Sequence, residues 1–239
     1  MAERIWWSRY YHCSPTAHKI EAMAASSPTS RPLQQWRPSV RTLLLVAAML
    51  AAVGPWHRLH AGRLADPDYL GLYRQGVNFA TFLERARTRP DEWKQRYNDA
   101  AVTPDMLTRM RALPDRRLVL GVAEDWCTDS MNSIPYVARL ADGAPERIAL
   151  RIIDSTLGRP IMDAHLTPDA RAATPTIVVL REDGAPVGSW VERPSTAQAW
   201  FLEQRKIVTR GTLRTQLRQW YADDGGRTTV AEIAALLER

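Results

Sequence analysis

The chain has 239 residues, 45% apolar and 24% charged, which suits one packed domain with appendages. Its net charge of +6 would point to a polyanionic partner if it were spread over the fold, but residues 1–63 hold eight Arg/Lys against two Asp/Glu, and residues 64–239 hold 24 of each. The body is therefore neutral and carries no basic stripe interleaved with aromatics, which excludes nucleic-acid binding as a main function.

Residues 1–41 mix Trp6-Trp7, Tyr10-Tyr11 and Ser/Pro/Thr clusters without a sustained period. This predicts disorder or a leader, or a start codon assigned too far upstream. The uncharged run 42–56 is short for a bilayer span of about 20 residues, but it fits a signal-peptide core of about 7–15 residues or a marginal membrane tether. Arg31, Arg37 and Arg41 on its N-terminal side predict a C-terminal domain outside the cytoplasm, in the cell envelope. Arg58, Arg63 and the poor cleavage site Leu59-His60-Ala61 keep a cytoplasmic protein as the alternative.

Residues 66–113 read as a helical N-terminal extension. Phe79, Phe82, Leu83 and Ala86 make one amphipathic face, and Trp93, Tyr97 and Ala100 make another. Thr103-Pro104-Asp105 is a helix start, with Thr103 as N-cap and Pro104 at the first helical position. Residues 114–206 then alternate strands with helices. Leu118 to Ala123 is a continuous apolar run, the pattern of a strand buried on both faces. Apolar residues at helical spacing from Met131 to Leu140 predict a helix beginning at or just after Cys127, and Asp142-Gly143-Ala144-Pro145 stops it.

Ile148 to Asp154 reads as a second strand, parallel to the first because a helix joins them. A short helix over Gly158 to Leu166, with Ile161, Met162 and Leu166 inward, precedes a hairpin: Thr176 to Leu180 and Pro186 to Val191 flank Asp183-Gly184. Ser195 is the expected N-cap of the next helix, with Ala199, Phe201 and Leu202 near its buried side. The tail, residues 207–239, predicts two more helices, over Thr212 to Tyr221 and over Thr228 to Leu237, the second capped by Thr228 or Thr229.

Cys127 thus sits where a buried strand hands over to a helix, a corner at which unpaired backbone N–H groups and the helix dipole favour a thiolate. The stretch Trp126-Cys127-Thr128-Asp129-Ser130 resembles the active-site corner of the thioredoxin superfamily, where Trp-Cys-x-x-Cys is usual. Ala173-Thr174-Pro175-Thr176, followed by an apolar strand, resembles the cis-proline segment that faces the active cysteine in that family. The resemblance covers roughly Gly76 to Arg205 and is greatest to bacterial thioredoxin-like proteins with an extra helical segment ahead of the first strand. It implies an α/β thioredoxin-like fold: a central mixed sheet of about four strands flanked by helices, with extra N-terminal and C-terminal helices.

The second cysteine of the motif is Ser130 here, so the site has one thiol. As thiolate, Cys127 would attack the disulfide of a partner protein or a glutathione mixed disulfide. Ser130 cannot expel the bound partner, so an external thiol such as glutathione must serve as co-substrate. Cys13 is a poor candidate because it precedes the apolar run. Gly121 stands where thioredoxins carry a buried carboxylate used in proton transfer. Asp129 stands where thioredoxin has proline, a position where the bacterial relatives often have Asp, and with Asp125 it opposes thiolate formation.

The resemblance makes Thr174-Pro175 a cis peptide and leaves the Thr174 backbone open to an extended substrate segment. Trp126 either shields the sulfur and touches partners or simply packs. The five histidines and two cysteines show no metal spacing, and with no Gly-rich phosphate loop no bound cofactor is expected beyond the external thiol as co-substrate. Two functions stay open: single-thiol disulfide exchange through Cys127, and a redox-silent module that grips an extended peptide near Trp126 and Thr174-Pro175.

Overall fold

The computed structural model describes residues 66–239. The apolar run 42–56 and Cys13 lie outside them. Four short helices open the described chain: α1 (Tyr69–Gln75), α2 (Phe79–Arg85), α3 (Pro90–Asp99) and α4 (Pro104–Arg111). Three of them start where a short polar side chain accepts an otherwise orphaned backbone N–H: Asp68 from Gly71 at 2.8 Å, Asn78 from Thr81 at 2.8 Å, and Thr103 from Met106 at 3.3 Å. The fourth, α3, starts from Arg89, whose backbone is left-handed (φ 53°), with Pro90 at the first helical position.

Next come β1 (Arg117–Val122), α5 (Thr128–Gly143), β2 (Ile148–Ile153), α6 (Arg159–Ala164), β3 (Thr176–Leu180) and β4 (Pro186–Val191). The chain closes with α7 (Ser195–Gln204), α8 (Arg210–Asp224) and α9 (Arg227–Leu237). The sheet order is β2-β1-β3-β4. The β1–β2 pair is parallel, with Val119 opposite Leu150. Antiparallel pairing joins β1 to β3, with Val119 opposite Val179, and β3 to β4. This is the mixed four-stranded sheet that the strand pattern predicts.

The two faces of β1 feed two apolar layers, because side chains alternate along a strand. Leu118, Leu120 and Val122 pack with Val178, Leu180, Ile161, Met162 and Tyr69. Val119 packs with Ile134, Ile177 and Val179, in the layer that also takes Phe79, Trp93 and Met110 from the N-terminal helices and Val230, Ile233 and Leu237 from α9. Both helical extensions therefore complete this second layer. Burial of each such large side chain contributes about 1.5–3 kcal/mol.

Several local expectations are corrected. Leu166 is 48% exposed, because α6 ends at Ala164 and the chain turns away before reaching it. Ala199 is also exposed, and the buried residues of α7 are Ala197 and Gln198. Ser195 is the first residue of α7 and does not cap it; Pro194 is the N-cap, while the Ser195 N–H donates to Glu232 of α9 at 2.9 Å. In α9 the cap is Gly226, with φ 77°. A Cβ there would lie 2.2 Å from the Tyr136 ring, so the left-handed backbone and the close approach both require glycine. Thr228 instead lies inside the helix, where its N–H donates back to Asp224.

Candidate active site

The end of β1 delivers Glu124 to Cys127 into a tight turn, closed by the Cys127 N–H donating to the Glu124 carbonyl at 3.1 Å. Cys127 is itself the N-cap of α5: its Sγ accepts the Ser130 N–H at 3.4 Å and its carbonyl accepts the Met131 N–H at 3.1 Å. From the opposite side the β3 approach brings in Thr174-Pro175, whose peptide bond is cis. The Cys127 thiol donates to the Thr174 carbonyl at 3.2 Å. Cys127 as a residue is partly buried, while Trp126 beside it is 59% exposed and so faces outward. The Thr174 backbone is thus half engaged: its carbonyl is taken by the thiol, and its N–H has no acceptor among the described residues.

The corner does not make a thiolate by itself. Burial pushes the Cys127 thiol above its ordinary pKa, and the Asp129 carboxylate adds to the rise; the Ser130 N–H, which donates to the sulfur, offsets part of it. Desolvation disfavours the charged sulfur more than the first turn of α5 favours it, which reverses the expectation drawn from the corner alone. Ser130 is fully buried and its Oγ has no hydrogen-bond partner in good geometry.

Asp129, two residues on, belongs to a buried polar cluster. Its carboxylate accepts both Arg193 Nη2 at 2.8 Å and Arg193 Nε at 3.3 Å, and also the Tyr221 hydroxyl of α8 at 3.0 Å. Arg193 further donates to Gln198 at 3.0 Å, pairs with Glu192 at 2.9 Å and lies 3.9 Å over the Phe201 ring. Glu192, held with φ 67°, also binds Arg171. Burial raises the Asp129 pKa, and the Arg193 guanidinium pulls it back down. Sequence reasoning missed Arg193, Glu192 and Tyr221 because they meet Asp129 only in three dimensions, 63 to 92 residues away. The sole sequence hint was a charged pair at the end of an otherwise apolar strand.

The N-terminal extension holds the turn from its other flank. The Asp125 carboxylate accepts the backbone N–H groups of Arg87 at 2.6 Å and Thr88 at 2.9 Å, and the Asp125 carbonyl accepts the indole N–H of buried Trp93 at 2.8 Å. The Arg89 guanidinium donates to the Trp126 carbonyl at 3.1 Å. Asp125 is therefore turned into its own partners, and Asp129 is the carboxylate that raises the thiol's pKa. Glu124 is similarly occupied, accepting the Ser155 N–H at 2.7 Å. Gly121 lies in β1 with its absent Cβ facing Ile134 Cδ1 at 3.6 Å, so no carboxylate replaces the thioredoxin one there. Among the described residues no His/Cys/Asp/Glu group could hold a metal, and no helix is long and apolar enough to cross a membrane.

A lone thiol at the head of a helix, facing a cis-proline segment across a four-stranded mixed sheet, defines a thioredoxin-like domain. A family model described as thioredoxin matches residues 76–209, and the chain belongs to that family. Two solved structures share the fold. One is a Pseudomonas aeruginosa protein of unknown function, 20% identical, with a TM-score of 0.56 over 72% of this chain and 98% of that one. The other is an HIV epitope scaffold, 21% identical, with a TM-score of 0.54 over 72% and 98%. No curated protein matches the chain.

Proposed function

We propose that this protein carries out single-thiol disulfide exchange. The Cys127 thiolate attacks one sulfur of a partner's disulfide, or of a glutathione mixed disulfide; a Cys127–S–S–partner bond forms, the old S–S bond breaks, and the departing thiolate takes up a proton. Ser130 supplies no second thiol, so the adduct waits for glutathione or another external thiol, which takes the partner and restores Cys127. Exchange and deglutathionylation are open to such a site; net two-electron reduction without an added thiol is not. The observation that carries this reading is a partly buried Cys127 whose Sγ lies 3.2 Å from the Thr174 carbonyl, beside an outward-facing Trp126.

A second reading has its own support. A thiol whose pKa is raised, and which donates its proton to Thr174, is a weak nucleophile at neutral pH. The free Thr174 N–H and exposed Trp126 then serve a redox-silent module that grips an extended peptide by strand addition.

Trapping separates the two. The Cys13→Ala protein, incubated with a disulfide-containing peptide and no added thiol, should accumulate a mixed disulfide that is absent when Cys127→Ala is added. Peptide binding of equal strength in both proteins, with no covalent adduct, would select the binding module. We also propose that the run 42–56 places the domain in the cell envelope; the N-terminal sequence and fractionation of the native protein test that.

A further inference from the structure

Among the described residues, Arg89 is the cation that bridges the residues on either side of Cys127, and its free donors bear on the substrate class. Arg89 Nη2 donates to the Trp126 carbonyl at 3.1 Å and reaches Thr128 Oγ1 at 3.4 Å, so the guanidinium straddles the chain at the thiol. Its side chain is 33% exposed, and among the described residues its carboxylate partner is Glu92, at 3.6 Å and 60% exposed. An exposed i,i+3 pair at that distance neutralises little. Arg89 has five N–H donors, and the two contacts beside Cys127 both use Nη2, which leaves donors for a ligand.

The acidic groups nearby are already satisfied. Asp125 is bound by two backbone N–H groups, Glu124 by Ser155, and Asp129 by Arg193 and Tyr221. Thr128 and Asp129, in the first turn of α5, keep backbone N–H groups with no acceptor among the described residues. A carboxylate approaching beside Thr128 would therefore meet an Arg fork and two free amides, while the Asp129 charge that acts on the thiol is paired with Arg193. Arg89 is also held in place: its backbone is left-handed although it is not glycine, and the residues just before it are tied to Asp125.

From this juxtaposition we propose that Arg89 is a specificity-determining residue, selecting thiol or disulfide substrates that carry a carboxylate close to the sulfur. The inference rests on the exchange reading for its biological substrate, but the preference for anions can be measured without exchange. The exchange step remains the one above, with Arg89 holding the carboxylate of whichever half of the disulfide bonds to Cys127.

The first arm compares iodoacetate with iodoacetamide as alkylating agents of Cys127 in the full chain. They are similar in size and differ in charge, so their rate ratio cancels any general change in access to the sulfur. In Arg89→Gln the iodoacetate-to-iodoacetamide ratio should fall about threefold from the native value; Arg89→Lys should keep most of it, and added salt should erode it in the native protein. A ratio unchanged in Arg89→Gln overturns the proposal. The second arm compares dithiodiglycolic acid with its diamide as disulfides, read as Cys127 adducts. Faster adduct formation with the acid, lost in Arg89→Gln, supports the proposal. Equal rates for the two disulfides reject the substrate class while leaving exchange intact. Adducts with neither disulfide, alongside an alkylation ratio that follows Arg89, reject exchange while leaving the anion preference.

Discussion

The Sγ of Cys127 lies 3.2 Å from the Thr174 carbonyl oxygen, across the gap between the head of α5 and the residue before Pro175. The bond needs the proton on sulfur, so it exists only in the thiol form. Burial and the Asp129 carboxylate favour the same form. Alkylation of Cys127 by neutral iodoacetamide should therefore be slow at pH 7 and titrate with an apparent pKa above the free-cysteine value of about 8.5. Because the folded-state pKa is raised, the thiol's contribution to stability is complete below the ordinary cysteine pKa and is lost as pH rises through the folded value. The stability difference between the native protein and Cys127→Ala, followed by urea unfolding, should change only in that alkaline window.

Asp129 is the charge that adds to burial at the sulfur, so Asp129→Asn should lower the apparent pKa of Cys127 and speed its alkylation at pH 7. Asparagine keeps an oxygen for Tyr221 or Arg193 and loses the ionic part of a buried pair, at a cost of about 2 kcal/mol. A pH–rate profile together with a urea titration checks both effects. An unchanged profile would mean that desolvation alone sets the thiol.

Arg193 answers two buried carboxylates, Asp129 and Glu192. Arg193→Ala leaves both without their shared cation, and removing one partner of a buried pair costs about 3–5 kcal/mol. Glu192 keeps Arg171 and Gln198, so the lower end of that range is expected. Denaturant unfolding of the variant measures it.

Trp93 links the N-terminal extension to the thiol turn through its indole N–H on the Asp125 carbonyl, and its ring packs edge-on against Phe82 at 5.0 Å. Trp93→Phe keeps most of the packing and should cost about 1–2 kcal/mol for the unpaired carbonyl. Trp93→Ala adds a cavity and should cost about 3–5 kcal/mol. If the turn depends on this anchor, the phenylalanine variant should also change the alkylation rate of Cys127 at a pH where the domain is fully folded.

The sheet was legible because its strands are short apolar runs between turn residues: the span Thr176 to Leu180 and the span Pro186 to Val191 coincide with β3 and β4. Thr103-Pro104 was readable as a helix start because an N-cap is a local, two-residue event. The cap expected at Ser195 failed for a non-local reason, since Glu232 of α9 takes its N–H and hydroxyl. Of the site, Cys127, Trp126 and Thr174-Pro175 stood out in the sequence, whereas the state of the thiol did not. That state depends on how deeply the sulfur is buried and on which way the Asp125 and Asp129 carboxylates turn. Spacing along the chain carries neither.

The most direct test of single-thiol exchange is the lifetime of the Cys127 adduct in a Cys13→Ala background. After reaction with a small disulfide and removal of excess reagent, intact mass should show one adduct per chain that persists until glutathione is added. In the additional variant Ser130→Cys, the same adduct should release itself with formation of an internal disulfide. An adduct that leaves the Ser130 protein without added thiol, or one that never forms at any pH up to the titration of Cys127, would contradict the account.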